Sequence, residues 1–229
     1  MTIWFASGNI NKKKELAAIL NAASGSPQTP WEIQIPSDAG LDFDPEETGT
    51  TFCENALLKA RGLYSLLEQR RHEKAIFSLY KTGDPIIADD SGICVDALGG
   101  RPGIYSARYA GRHTGQSGGH PPKKLDAAER NVLLLDEMGG TAVRSARFVC
   151  AMVLMFSPDR FFLAQETFEG EIVQSHALAR GAGGFGYDPI MFIPGLGRTV
   201  AELSEEKKNS ISHRAKAGKI IASIIEACS

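Results

Sequence analysis

This chain lacks the features that would take it out of the ordinary globular class. Its four cysteines, Cys53, Cys94, Cys150 and Cys228, make no C-x-x-C pair, and its five histidines cluster with none of them. That argues against a zinc site and for idle thiols in a reducing compartment. There is no excess of one charge: 25 basic and 27 acidic residues leave −2. Broad binding to nucleic acid is therefore not expected, although a few local bases could still hold a small anion. The longest apolar run, Val149 to Phe156, is far short of the ~20 residues that span a bilayer. The first residues show no basic segment ahead of a long apolar stretch, so neither a signal peptide nor membrane attachment is expected and the reading is cytoplasmic. What is present, 43% hydrophobic and 23% charged residues over 229 positions, suits one globular unit, read here as a single domain over 1–229.

Apolar patterning gives an alternation of strands and helices. Thr2 to Ala6 reads as a strand, then Ser7-Gly8-Asn9 as a tight turn, then a helix with Leu16, Ile19 and Leu20 on one face. Residues 24–30 form a loop by composition, and Trp31 to Ile35 fits a strand. Thr51-Phe-Cys-Glu54 matches a capping box for a long helix reaching about Arg71, with 72–83 a weakly patterned connection. Pro85 to Gly92 reads as a short strand running into a turn at Ser91-Gly92. Gly111 to Pro122, rich in glycine, histidine and proline, reads as a mobile loop. Ala127 to Met138 is a helix stopped by Gly139-Gly140. Ala146 to Phe156 and Phe161 to Val173, split by Ser157-Pro158-Asp159, form an antiparallel pair. Ile190 to Ile193 is a further strand, and Ser212 caps a last helix. The expected fold class is α/β, a mixed sheet with flanking helices.

Two groups of residues could carry chemistry. One is acidic, Glu46-Glu47 with Asp89-Asp90. The other is basic, Lys12 near the first turn and Lys208 with His213-Arg214 near the last helix. Carboxylates beside separate bases suit a magnesium-bound polyphosphate, because Mg²⁺ takes carboxylate, phosphate and water oxygens while lysine and arginine neutralise the rest. Neighbouring strand residues point to opposite faces, so Asp89 and Asp90 share a site only if the chain turns after them. A metal-binding pair and a surface turn with a capping aspartate both remain open on these residues alone. Gly181 to Gly186 spells G-x-G-x-x-G, but a strand follows instead of a helix, so the dinucleotide motif is rejected. What remains is a glycine loop with Phe185 and Tyr187, either a ligand loop or a plain turn. Ser7-Gly8-Asn9 ahead of a helix offers backbone N–H groups to an anion. His213-Arg214 at a helix N-terminus opposes the dipole and implies an anion there.

Seven segments in order resemble one family. They are Ser7-Gly-Asn-x-x-Lys12, Glu46-Glu-Thr-Gly49, Phe52-x-Glu-Asn-Ala56 with Lys59, Ala88-Asp-Asp-Ser-Gly92, Leu98-Gly-Gly-x-Pro-Gly-x-Tyr-Ser-Ala-Arg108, Gly183-Gly-Phe-Gly-Tyr-Asp-Pro189 and Ser210-x-Ser-His-Arg214. Together they are similar to the inosine/xanthosine triphosphate pyrophosphatases, over nearly the whole chain. The resemblance implies a two-lobed α/β fold around a central substrate cleft, a homodimer and a Mg²⁺ requirement. It implies hydrolysis of ITP, dITP and XTP to the monophosphate and pyrophosphate. Carried over residue by residue, it implies Asp90 as general base and metal ligand, with Glu46 on the metal and Asp89 close by. It implies that Ser7, Gly8, Asn9, Ile10, Asn11 and Lys12, with Lys59, hold the phosphates. Ser91, Phe185, Gly186, Tyr187, Asp188, Lys208, His213 and Arg214 would bind substrate, mostly around the base. The segments Leu66 to Pro85 and Gly111 to Pro122 are longer than the family pattern and read as surface insertions. Two alternatives stay open: a pyrophosphatase for other modified nucleotides, and a nucleotide-binding sensor without turnover.

Overall fold

The computed structural model of the chain describes residues 1–24, 30–110 and 125–228. The expected loop Gly111 to Pro122 and the middle of the 24–30 loop lie outside the described residues. Seven strands, β1 (Thr2–Phe5), β2 (Glu32–Gln34), β3 (Ile86–Val95), β4 (Ser145–Ser157), β5 (Arg160–Ile172), β6 (Met191–Ile193) and β7 (Arg198–Thr199), hydrogen-bond in the order β2-β1-β3-β4-β5-β6-β7. β1 runs parallel to β2 and β3, whereas β6 runs antiparallel to β5 and β7. The helices are α1 (Ile10–Ala23), α2 (Phe52–Arg70), α3 (Lys74–Phe77), α4 (Ala127–Met138), α5 (Glu205–Ile211) and α6 (His213–Cys228). The mixed α/β class expected from the sequence is what forms.

The chain divides into two compact units. The first contains Met1–Asp90, Cys150–Glu166 and Ser212–Ser229, and the second contains Ser91–Val149 and Thr167–Ile211. In the first unit the alternation of strand side chains explains why the apolar runs are unbroken. Ile3 and Phe5 of β1, Ile87 of β3, and Cys150, Met152 and Leu154 of β4 join one core cluster, which includes Leu16 and Leu20 of α1 and Ala217 and Ile221 of α6. Trp4, Ile86 and Ala88, with Ala151, Val153 and Met155, join another with Ala56, Ala60, Leu63 and Leu67 of α2. A strand covered on both faces has no solvent face to keep polar. The second unit has one core, built from Ile93, Val95, Leu134, Leu135, Met138, Phe168, Ile172, Tyr187 and Met191 among others.

Local signals act as the sequence suggests. Thr51 Oγ1 accepts from the Glu54 amide at 3.1 Å while Glu54 accepts from the Thr51 amide at 3.2 Å, closing the capping box. Ser212 Oγ accepts from the Ala215 amide at 3.1 Å at the head of α6. Two residues, Pro158 and Asp159, connect the adjacent strands β4 and β5, which makes that pair antiparallel.

One expectation fails. β3 does not turn at Ser91-Gly92 but continues to Val95. Serine and glycine signal a turn locally, but pairing in the middle of a sheet overrides weak strand preference. The connection 72–83, read as weakly patterned, contains the single turn α3.

α1 and α6 pack through a glycine. A Cβ on Gly218 would lie 2.7 Å from Cγ2 of the buried Ile19. We expect Gly218→Ala to lower stability by about 1 kcal/mol in urea denaturation, because overpacking of roughly 1–3 kcal/mol exceeds the helix preference of about 1 kcal/mol that alanine contributes. In an Ile19→Ala background the same substitution should stabilise. A cost that persists there would show that the two helices do not meet at this pair.

Candidate active site

The straight course of β3 decides where its two acids go. Asp89 follows Ile87 on the face covered by α1 and α6, and Asp90 follows Ala88 on the face covered by α2. Their partners divide accordingly. Asp89 accepts from Lys12 Nζ of α1 at 3.0 and 3.1 Å, and from Arg214 Nε and Nη2 of α6 at 3.1 and 2.9 Å. Arg214 also donates through Nη1 to Glu15 at 2.6 Å and is 1% exposed. Asp90 accepts from Lys59 Nζ at 3.0 Å and from Asn55 Nδ2 at 3.2 Å, both on α2. Lys59 Nζ reaches Glu47 Oε1 as well, at 2.8 Å.

The electrostatics separate the pair. Burial alone would raise the Asp89 pKa, but Lys12 and Arg214, with Lys59, outweigh it and hold the carboxyl well below the usual range. For Asp90 burial wins: with the nearby Glu47 charge it pushes the pKa up, against the pull of Lys59 and Asn55. Burial would lower the Lys59 pKa, but Asp90, Asp89 and Glu47 raise it, so the ammonium stays charged. One neighbour is thus held as an anion, while burial shifts the other toward its protonated form.

The residues predicted from sequence fall into three groups. Lys12, Asp89 and Arg214 meet, and the anion implied at the head of α6 proves to be protein, Asp89 with Glu15. Lys59 and Asp90 meet through Glu47 and Asn55. Glu46 is exposed and Glu47 is the glutamate that reaches Lys59. Among the described residues no three His, Cys, Asp or Glu side chains gather closely enough to hold a metal by themselves. Ser7, Gly8, Asn9, Ile10 and Asn11 surround the head of α1. There Asn9 Oδ1 takes the Asn11 and Lys12 amides at 2.9 and 3.2 Å, so part of the expected anion cradle caps its own helix. His213 is buried as the first residue of α6.

The third group lies in the second unit. Lys208 Nζ donates to Asp188 Oδ2 at 2.7 Å and sits 4.6 Å from the centre of the Phe185 ring. Asp188 Oδ2 also accepts from the Phe185 amide at 2.9 Å. Gly184 has φ +72°, and any Cβ there would collide with Asp188 Oδ2. Phe185 is 40% exposed, whereas Tyr187 is 4% exposed and donates from its hydroxyl to Ser106 O at 3.0 Å. Only Phe185 of the two aromatics offers a face. Ser91, in mid-strand and half-buried, is adjacent to Asp90 in sequence.

Sequence reasoning missed Glu15, Ser106 and the roles of Asn55 and Glu47. Asn55 was visible inside Phe52-x-Glu-Asn-Ala56, and its Oδ1 also accepts from the Gly49 amide at 2.8 Å, which joins two motifs. Nothing local marks Glu15.

Residues 3–224 match the model of the Ham1 family. The chain belongs to the Ham1 family. It is 43% identical over 221 residues to a protein of Treponema denticola named dITP/XTP pyrophosphatase, covering 95% of this chain and 94% of that one. A relative so named from Ralstonia nicotianae is 40% identical over 226 residues, 98% of this chain and 94% of the relative. The solved Ham1 protein of Staphylococcus aureus superposes with a TM-score of 0.75 at 34% identity, covering 100% of both chains. The likeness to the inosine/xanthosine triphosphate pyrophosphatases drawn from the seven ordered motifs holds at the level of family and fold.

Removing the Asp89 charge would leave Arg214 and Lys12 short of their shared anion. We expect Asp89→Asn to lower the unfolding free energy by roughly 3–5 kcal/mol at pH 7. Because the folded-state pKa of Asp89 is depressed, its contribution is complete above its unfolded pKa of about 4 and declines as pH falls below that. The gap between wild type and variant in urea unfolding should therefore shrink in acid. Equal stability at pH 7 would refute this account of Asp89.

Proposed function

We propose that this Ham1-family chain hydrolyses non-standard purine nucleoside triphosphates, ITP, dITP and XTP, to the monophosphate and pyrophosphate. We take it to act in the cytoplasm as a homodimer. The observation that carries the reading is Asp90: a buried carboxyl with a raised pKa, held by Lys59 and Asn55, in a chain whose relatives are named dITP/XTP pyrophosphatase. A general base works best when its pKa approaches the working pH, and with no cation bound burial moves the Asp90 pKa in that direction. Asp90 would take the proton of the water whose oxygen bonds to one phosphorus of the α–β anhydride, as the bond from that phosphorus to the bridging oxygen breaks and monophosphate and pyrophosphate separate.

The donor set fits a divalent cation. The two acids of β3 and the charged groups linked to them comprise four carboxylates, Asp89, Asp90, Glu15 and Glu47, against three cationic side chains, Lys12, Lys59 and Arg214. One negative charge in excess does not attract a triphosphate. Glu47 and Asp90 already converge on one positive centre, Lys59 Nζ, at 2.8 and 3.0 Å. Mg²⁺ is typically held by one or two carboxylates together with substrate phosphates and water. Asp90 and Glu47 would hold it, with Glu46 beside them in the chain. Bound there, Mg²⁺ supplies the positive charge that lets phosphate oxygens approach carboxylates. Asp89, with both oxygens engaged by Lys12 and Arg214, orients those cations. Ser7 to Lys12 and Lys59 are assigned to the phosphates, and Phe185 and Lys208 to the base, with His213 and Arg214 supporting.

Selectivity follows from donors. A site that donates to the 6-oxo group meets a 6-amino group donor to donor and leaves its own polar group unpaired, which can discriminate by about 10⁴. Lys208 is such a donor. Pyrophosphate release from ITP should therefore exceed that from ATP by about that factor, and equal rates would reject the assignment.

Asp90→Asn keeps the shape and removes the base. We expect turnover of ITP to fall by about 10²–10⁴ with ITP still bound. In the wild type the rate should fall as acid protonates Asp90, and chelation should abolish it until Mg²⁺ is restored. Pyrophosphate release above about a tenth of wild type in Asp90→Asn would remove Asp90 from that role, since general-base catalysis is worth at least about 10².

A further inference from the structure

A loop made of Gly-Ala-Gly-Gly-Phe-Gly has little to order it from within. Glycine-rich backbone loses more freedom on folding than any other. The 181–188 segment nonetheless presents Phe185 and Asp188 in register with Lys208, so something outside the loop holds it.

α4 supplies one holder. Asn131 is 5% exposed and donates from Nδ2 to the carbonyl oxygen of Gly186 at 3.2 Å. Its neighbour Arg130 hydrogen-bonds the Tyr187 side chain. Tyr187 in turn donates to Ser106 O, and Ser106 Oγ accepts from the Ile93 amide at 2.8 Å. Gly186 and Tyr187 are thus tied to α4 and to the 98–108 segment, all within the second unit.

Asn131 is a poor choice for stability. Its Oδ1 is buried and has no hydrogen-bond partner. A buried, unsatisfied amide oxygen destabilises a fold, and leucine of nearly the same shape would bury no such atom. What the amide gains at this position is its N–H bond to Gly186.

We infer that Asn131 is a positioning residue for substrate binding: its hydrogen bond to Gly186 fixes the backbone that aims Phe185, Asp188 and Lys208 at the nucleotide base. This inference rests on the pyrophosphatase reading for its kinetic test and stands on the loop itself for its structural one. Asn131 lies in the second unit and bonds to Gly186, whereas the residues assigned to the phosphates lie in the first, so its loss should weaken binding and leave the chemical step intact.

The test compares wild type with Asn131→Leu, and with Asn131→Ala in case the branched side chain packs badly. With ITP as substrate, KM should rise by about tenfold while kcat stays within about twofold, as expected for a lost hydrogen bond that acts through binding alone. The thermal midpoint of Asn131→Leu should equal or exceed that of wild type. Without any nucleotide, the Phe185 amide should lose about tenfold of its hydrogen-exchange protection, for the same lost hydrogen bond. If wild type releases no pyrophosphate from ITP, the functional reading fails, and the exchange measurement still judges the clamp. An unchanged KM, or a KM, kcat and thermal midpoint that all deteriorate together, would overturn the positioning role. Unchanged exchange at Phe185 would overturn the clamp.

Discussion

The two-residue repeat of a β-strand is the constraint on which the first unit depends. Asp89 and Asp90 are adjacent in sequence, yet the strand sends them to opposite faces, where α1 and α6 meet one and α2 meets the other. Had the chain turned after Asp90, the two carboxylates would have crowded a single space and raised each other's pKa. Separation gives them opposite fates. Asp89 is neutralised by a lysine and by two N–H groups of one arginine and stays ionised. Asp90 has a lysine that it shares with Glu47, and its protonated form is favoured by burial. Two adjacent residues thereby become one fixed anion and one carboxyl whose pKa burial raises.

The position of β3 makes this possible. It lies between β1 and β4, and Ile86, Ile87 and Ala88 are fully covered on both faces. Two charges at the end of so apolar a segment are tolerated only where counter-charges arrive from the covering helices. α1 brings Lys12 and Glu15 one turn apart, α6 brings Arg214 in its first turn, and α2 brings Asn55 and Lys59 four residues apart on one side. Each helix thus contributes polar residues from the end of the same face that otherwise buries Leu16, Ile221 or Leu63. These charged residues sit where the hydrophobic faces run out.

Much of this was legible in the sequence, and the remainder was not for identifiable reasons. Apolar runs, the Thr51 to Glu54 capping box and the Pro158-Asp159 hairpin are local signals, and they determine local structure. The family followed from the order of seven motifs. The turn expected at Ser91-Gly92 failed because sheet pairing is a tertiary effect that composition does not report. The anion implied by Arg214 was sound as electrostatics but incomplete as assignment: Asp89 lies 125 residues away and Glu15 199 residues away in the chain. A one-dimensional reading detects an unpaired charge and not which distant residue pairs it. Tyr187 and Phe185 looked equivalent as aromatics two residues apart. The fold buries one and exposes the other, and nothing in the spacing decides which.

Both units use an interior carboxylate to orient a cation. Asp89 fixes Lys12 and Arg214, and Asp188 fixes Lys208 while also taking the Phe185 amide, so that ring and ammonium are registered to one acceptor. A free lysine is a mobile, strongly hydrated charge, and pinning it to a carboxylate exchanges long-range attraction for direction. That trade suits recognition of a particular base better than capture of any polyanion, and it is consistent with a chain whose overall charge is only −2. It also means that the cationic side chains are largely spent on internal partners. On the proposed reading, the charge that brings a triphosphate against Glu47 and Asp90 would come with the substrate, as a divalent ion carried by the phosphates.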